Sequence, residues 1–280
     1  MPWLRSLPLP DASESDLQRW LDGLAERIDD PTVDRSELVR ELLAELRYGR
    51  PYAELAEASP WAAFALDPRN VRLEAEHYVA TDPERFARVK PLLWAWTQVD
   101  ATPFGASMST GIPFRRMLAQ RVFARAGRRL KIFPGVEVSV GYNIEAGDDV
   151  VLHRHVFLDD IGGIELHDGV SLADYVNVYS HTHALEDPGD VTLKRTVIGR
   201  GVRVAYHGTV LAGSVLSDDA MLGALGLATR SLDPHVVALG IPARPRARKA
   251  RPLDDPSWSE LAVDARTRDP SPERAGSGDG

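Results

Sequence analysis

The sequence predicts a mainly β protein, a parallel β-helix of hexapeptide repeats preceded by an α-helical region. Two observations favour this class: the second half of the chain repeats every six residues, and the first third has the apolar spacing of helices. In a β-helix each coil pairs with its neighbours as parallel strands, so stacked repeats bury a continuous core.

The first third has the spacing of amphipathic helices. Residues 17–28 form one apolar-periodic run, and residues 38–46 form a second, for which Asp34 or Ser36 can act as N-cap and Gly49 as the stop. A third helix opens at residues 81–83 with proline in its first turn, and we expect Pro91 to kink or split it. No catalytic motif lies here, so the region is predicted to serve in packing.

The segment 114–131 is basic and amphipathic, with seven cationic residues and no acid. Such a helix can lie on an anionic membrane surface. The alternative is a linker helix that packs its apolar face on the first coil of the β-helix, and this is the alternative we favour. No stretch of the chain is apolar enough to span a bilayer.

From residue 140 onward, aliphatic side chains recur at every sixth position, with breaks at residues 161–163 and after His183. Six residues fit one short strand plus one corner, and three such units complete a coil. A second position, four residues later, is small or β-branched and is predicted to fill the corners, with Thr182 among its members. The twelve predicted inward residues are Val140, Ala146, Leu152, Leu158, Leu166, Leu172, Val178, Ile198, Val204, Val210, Leu216 and Leu222.

The repeat region resembles a known family, the hexapeptide-repeat acyltransferases, and within it the maltose, galactoside and nodulation-factor O-acetyltransferases. The matching stretches are SVGYNIEAGDD (139–149), VFLDD (156–160), VNVYSHTHAL (176–185), TVIGRGVRVA (196–205) and ALGIPAR (238–244). The resemblance implies a left-handed coil, a homotrimer with active sites between subunits, and acetyl-CoA as acyl donor beside the coils. It also implies a hydroxylated, sugar-like acceptor. The helical region is longer than the family's usual cap.

The resemblance also assigns candidate site residues. His183 stands at the family's catalytic histidine and would act as general base on the acceptor hydroxyl, a role suited to an imidazole. His181 is its competitor. Asp160 would bind acceptor hydroxyls, although Asp159 and Asp160 could instead cap the following turn. His153 replaces the family's asparagine and could contact the acceptor or the oxyanion.

The donor side is assigned in the same way. The pantetheine groove would be flanked by Tyr206 and Ala224, and farther along it would be approached by Thr229, Arg230 and Arg244. Arginine suits the nucleotide phosphates because its guanidinium donates forked hydrogen bonds. The chain departs from the family at Arg203, where tryptophan is usual, and at Leu225, where glycine is usual.

Two other functions share this architecture. A γ-class carbonic anhydrase would bind zinc through three histidines, but no second histidine follows His207 at the spacing that this class uses, and we expect no metal. A non-catalytic trimeric scaffold would keep the coil and lose the chemistry, and the departures at His153, Arg203 and Leu225 keep this alternative open.

Composition sets the remaining expectations. The net charge of -8 disfavours nucleic acid as a partner, and the lack of cysteine fits a cytoplasmic protein. We expect three parts: an α-helical region at 1–130, the β-helix acyltransferase domain at 131–246, and a flexible tail at 247–280. The tail is rich in proline, serine and glycine.

Overall fold

The computed structural model describes residues 10–184, 186, 189 and 191–249. Helices fill the first part of this range, and β-strands fill the rest. The predicted flexible tail lies outside the described residues from residue 250 onward. The helices are α1 (Asp11–Asp29), α2 (Arg35–Tyr48), α3 (Tyr52–Ala58), α4 (Pro60–Leu66), the 3₁₀ helix η1 (Glu74–His77), α5 (Pro83–Asp100), α6 (Pro103–Ala106) and α7 (Met108–Val122).

The helix boundaries follow local capping chemistry. The Asp34 carboxylate accepts hydrogen bonds from two backbone amides at the start of α2, and Gly49 ends this helix with a φ of 66°. Asp82 caps α5 in the same manner. Of the two effects predicted for Pro91, a kink or a split of α5, the split is wrong: the helix continues through this residue, whose ring is buried. Packing in the core compensates for the one hydrogen bond that proline cannot donate.

Three parallel sheets form the sides of the β-helix. Side 1 contains β1 (Arg125–Ala126), β4 (Ile144–Ala146), β7 (Ile164–Leu166), β12 (Thr196–Ile198) and β15 (Val215–Leu216). Side 2 contains β2 (Lys131–Ile132), β5 (Val151–Leu152), β8 (Ser171–Leu172), β13 (Arg203–Val204), β16 (Met221–Leu222), β18 (Val236–Leu239) and the antiparallel β19 (Arg244–Arg248). Side 3 contains β3 (Glu137–Val138), β6 (Phe157–Asp159), β9 (Asn177–Tyr179), β14 (Thr209–Val210) and β17 (Leu227–Ala228).

The predicted core is confirmed, with two corrections at the corners. All twelve predicted inward residues are at most 1% exposed. Val140, however, lies after β3 at a corner, and Val138 holds the strand position that pairs with Leu158. Thr182 is exposed rather than tucked into a corner, because it belongs to a hairpin that leaves the coil; the buried Thr196 takes the corner position instead.

The junction between the helices and the first coil uses the arginines of segment 114–131. Arg115 is 1% exposed, pairs with Asp100 and donates to the Ile132 carbonyl at 2.7 Å. Arg116 donates to the Leu130 carbonyl at 2.8 Å. Because these cations bind inside the molecule, the geometry favours the linker helix over the membrane-surface helix.

The last strand extends the fold past the predicted end of the domain at residue 246. β19 runs to Arg248, and Lys249 then donates to the His235 carbonyl and pairs with Asp219. The first residues of the predicted flexible tail at 247–280 therefore belong to the fold. No helix in the described part of the chain has the length and apolar character needed to cross a membrane.

Candidate active site

One corner of the β-helix, between sides 3 and 1, holds four of the candidate residues: Asp159, Asp160, His181 and His183. We call it the insertion corner; it comprises residues 139–143, 159–163, 180–184 and 191–195. The first coils carry two extra residues here: Val138 pairs with Leu158, and Leu158 with Val178, at intervals of twenty. In the third coil the insertion becomes a hairpin of β10 (His181–His183) and β11 (Val191–Leu193). The repeat is thus interrupted where the candidate base stands.

A carboxylate and two imidazoles meet at the base of this hairpin. The buried Asp159 carboxylate makes a short hydrogen bond to Nδ1 of His181. The rings of His181 and His183 lie 5.2 Å apart, nearly perpendicular, and His183 is exposed. A carboxylate on Nδ1 holds the proton there and leaves Nε2 of His181 as the acceptor nitrogen. The sequence had suggested Asp159 only as a turn cap, so this contact is new.

The helical region also reaches this corner, through Tyr78. Its ring lies 6.0 Å from the ring of His181, and its hydroxyl donates to Glu74 at 2.5 Å. The bond to Glu74 and partial burial raise the pKa of Tyr78 to about 12, so the phenol stays protonated. No motif signals Tyr78, because only the folded chain brings it to a histidine about a hundred residues away.

Asp160 has a different environment from its neighbour. It is fully buried and accepts hydrogen bonds from the backbone amides of Val140 at 2.9 Å and Asn143 at 3.2 Å. Burial raises the pKa of Asp160 to about 6, against the lowering effect of these donors. These contacts favour the alternative in which Asp160 caps a turn. The prediction was the turn that follows Asp160, whereas the capped turn, at residues 140–143, belongs to the preceding coil. They leave no surface for an acceptor hydroxyl.

Close backbone packing fixes the hairpin on the coil below. Ser180 donates to the Asp159 carbonyl at 2.5 Å and accepts from the Gly162 amide at 2.8 Å. A Cβ on Gly162 would lie 2.1 Å from the Ser180 carbonyl oxygen, so this position requires glycine. The hairpin therefore leaves the coil at a defined point, which sets the position of both histidines.

His153 lies at a different corner, between sides 2 and 3. Its ring stacks on Phe133 at 4.9 Å. Burial lowers the pKa of His153, an effect that the Asp174 carboxylate opposes. A cleft of about 390 Å³ opens beside it and is lined also by Arg203 and Tyr206. His153 therefore lines the same cleft as Tyr206, which is predicted to bind the donor. Within one chain, His153 and His183 lie at different corners of the β-helix.

The other predicted donor residues are divided between corners. Ala224 is exposed one coil beyond Tyr206, and the next amide, that of Leu225, donates to the Tyr206 carbonyl at 3.1 Å. Thr229 and Arg230 are exposed just after β17, on the side of the hairpin, and Arg244 begins β19. One chain therefore presents two half-sites at two corners rather than one complete site.

Two other coil histidines stack on a tyrosine instead of converging with the first group. His155 and His207 lie on opposite faces of the Tyr175 ring, at centroid distances of 4.8 and 4.9 Å. Among residues 10–184, 186, 189 and 191–249, no group of three histidine or acidic side chains is arranged to hold a metal ion.

Comparison with known proteins finds acetyltransferases among the relatives of this chain. No family model matches the chain. The galactoside O-acetyltransferase of Escherichia coli (strain K12) is 27% identical over 166 residues, which cover 58% of this chain and 78% of that protein. This similarity confirms the predicted resemblance to the galactoside O-acetyltransferase group.

Solved structures confirm the fold. A maltose O-acetyltransferase from Clostridium difficile 630 superposes with a TM-score of 0.53 at 21% identity, covering 64% of this chain and 98% of that one. The hexapeptide-repeat acetyltransferase VCA0836 from Vibrio cholerae O1 biovar eltor, in complex with acetyl coenzyme A, gives a TM-score of 0.53 at 18% identity, covering 65% and 99%. Both cover nearly all of the solved chain and about two thirds of this one.

Proposed function

We propose that the chain is a CoA-dependent O-acyltransferase that moves an acetyl group from acetyl-CoA to a hydroxyl of a sugar-like acceptor. The observation that carries this proposal is the histidine hairpin, rooted on a buried carboxylate at the interrupted corner of a β-helix. A relative that is an O-acetyltransferase and a structural neighbour that binds acetyl-CoA support the reaction class and the donor. A cytoplasmic location, expected from the lack of cysteine, belongs to the same proposal.

In the proposed reaction an imidazole removes the proton from the acceptor hydroxyl as its oxygen attacks the thioester carbonyl. The C–S bond then breaks, and the imidazolium returns the proton to the leaving thiolate of CoA. A thiol has a pKa of about 8.5, so the leaving group needs little assistance. The chain would bind CoA along its later coils with Tyr206, Ala224, Thr229, Arg230 and Arg244, where arginine can pair with phosphate.

We assign the base to His183, which matches the family motif and is exposed at the hairpin. A specific observation supports His181 as a second candidate: Asp159 orients its ring, as a carboxylate orients the base in hydrolytic triads. In the first assignment the Asp159–His181 pair positions the hairpin, and His183 takes the proton.

The positions of the two half-sites support a homotrimer. His183 and His153 lie at different corners of one chain, and a complete site forms when the insertion corner of one copy meets the His153 corner of the next. A closed ring of three copies would make three identical sites, since each copy supplies both corners. The acceptor's hydroxyl would then lie between His183 of one copy and His153 of its neighbour.

Substitution of each histidine tests the assignment of the base. We expect His183→Ala to lower kcat for acetyl transfer by about 10²–10⁴, the contribution typical of a general base, with acetyl-CoA affinity unchanged. His181→Ala should cost less and should raise KM for the acceptor. If His183→Ala retains full kcat while His181→Ala loses it, the base is His181.

A further inference from the structure

A cavity of about 160 Å³ lies where the helical region meets the first two coils. Leu93 and Trp96 of α5 form one wall, and Val138 and Phe157 of side 3 form the other. All four side chains are apolar; Leu93 and Trp96 are buried, and Val138 and Phe157 are half-buried. The helical region supplies half of the cavity, which would not exist in a bare β-helix.

The cavity adjoins the histidine hairpin through two residues. Tyr78 lines the cavity, and its ring contacts that of His181. Ser139 also lines it and donates to the Asp159 carboxylate at 3.3 Å, and this carboxylate in turn holds His181. A molecule whose hydroxyl reached the hairpin would therefore lie next to the cavity.

The order of sites along the β-helix axis indicates which substrate would enter. The cavity lies at the first and second coils, and the hairpin leaves the third. Tyr206 and Ala224, which we assign to the donor, belong to the fourth and fifth coils. The donor would approach the histidines from the carboxyl-terminal coils, so the cavity lies beyond them on the acceptor side.

Size and charge define the group that the cavity would take. An apolar cavity of about 150 Å³ in another protein holds benzene, so this volume fits one ring. Glu74 and Glu137 line the opening, and Asp159 lies behind Ser139. Three carboxylates make the entrance unfavourable for an anion.

We propose that the helical region and the first coils form an acceptor subsite for an uncharged, ring-sized apolar group attached to the hydroxylated part of the acceptor. This inference rests on the proposed function for its choice of the acceptor rather than of another ligand. It assigns to the helical region a role in substrate selection in addition to packing.

Aryl and methyl glycosides of one sugar test the subsite, offered to the full chain with acetyl-CoA. We expect the phenyl glycoside to have a kcat/KM about tenfold or more above that of the methyl glycoside. The reason is that binding transfers the apolar phenyl ring from water into the cavity, which is favourable. Thr97→Phe, on the exposed face of α5 that lines the cavity, should fill the cavity and abolish this preference by lowering kcat/KM for the phenyl glycoside. Arg88→Phe is the matched control, exposed on the same helix away from the cavity.

A second variant tests the charge at the opening. Glu137→Gln should raise kcat/KM for a p-carboxyphenyl glycoside relative to the phenyl glycoside, since one of the repelling carboxylates is gone. Equal kcat/KM for phenyl and methyl glycosides in the unchanged chain would overturn the subsite. So would a Thr97→Phe variant that keeps the phenyl preference but loses longer acyl-CoA donors, because the cavity would then hold the acyl chain.

Calorimetric binding of the phenyl glycoside separates failure of the subsite from failure of the proposed function. Binding that Thr97→Phe abolishes, in a protein that transfers nothing from acetyl-CoA, keeps the subsite and refutes the transferase. Transfer with no difference in binding between phenyl and methyl glycosides keeps the transferase and refutes the subsite.

Discussion

At the residue scale, two adjacent carboxylates at the insertion corner have separate roles because they face different partners. Asp159 bonds to an imidazole beside the hairpin, whereas Asp160 points into the coil and accepts from backbone amides. Their partners differ because neighbouring residues in extended backbone point to opposite faces. The sequence places both carboxylates in one motif and does not show which of them faces the hairpin. The resemblance implies that Asp160 binds the acceptor. The contacts favour Asp159 as the carboxylate that orients a histidine, because it bonds to His181.

The environment of Asp160 predicts a pH-dependent stability. Its pKa is raised to about 6 by burial, so the native state binds more protons than the unfolded chain between about pH 4 and 6, and this contribution to stability falls as pH rises through that window. Asp160→Asn removes the titration and leaves one backbone amide without an acceptor, at a cost of about 1–3 kcal/mol. Urea unfolding should show a larger cost at pH 4.5 than at pH 7. A cost that is larger at pH 7 would contradict the raised pKa.

At the element scale, α7 joins the two parts of the protein through a buried ion pair. Arg115 reaches Asp100 at the end of α5 and two carbonyl oxygens, those of Ile132 and Gly105. Burial lowers the pKa of Arg115, and the Asp100 carboxylate opposes this shift. Burial likewise raises the pKa of Asp100, and the Arg115 guanidinium opposes that shift. The amphipathic pattern of segment 114–131 predicts an apolar face for its helical part, which in the structure ends at Val122. It could not show that an arginine lies on the buried side, since nothing in the pattern identifies a pair fifteen residues apart.

Loss of this ion pair should destabilise the whole chain. Arg115→Met leaves the Asp100 carboxylate partly buried and unpaired, and breaking a buried pair on one side costs about 3–5 kcal/mol. Arg128→Met is the control, because its partner Asp148 is paired at the surface and such pairs contribute less than about 1 kcal/mol. Chemical unfolding at neutral pH measures both. Equal losses for the two variants would show that the junction does not depend on Arg115.

At the scale of the whole molecule, the six-residue period predicts the β-helix and its core because coil packing repeats locally in the sequence. The side chains of the candidate site do not repeat, and the contacts among Tyr78, Asp159 and His181 join distant parts of the chain. The family motif therefore located the hairpin, and the period located the coil. The cavity at the helical junction and the orientation of the carboxylates required the folded structure.

The separation of His153 and His183 predicts complementation between copies. His183→Ala and His153→Ala chains should each transfer poorly, and co-expression should restore about a quarter of the unchanged activity, since one interface in four would pair two intact corners. Separately purified chains, mixed without exchange of subunits, are the control. The prediction is contradicted if the co-expressed mixture is no more active than the summed activities of the two single variants. Each site would then lie within one chain.

Titration of the 280-residue chain with acetyl-CoA in a calorimeter tests the central claim most directly. The proposed transferase should bind acetyl-CoA and CoA, and ligand at about 100 times its Kd should stabilise the native state by about 2.7 kcal/mol, seen as a rise in Tm. Arg244→Ala should weaken this binding, whereas His183→Ala should leave it unchanged. Absence of both heat and a Tm shift at millimolar acetyl-CoA would contradict the transferase and favour a scaffold that kept the coil without the chemistry.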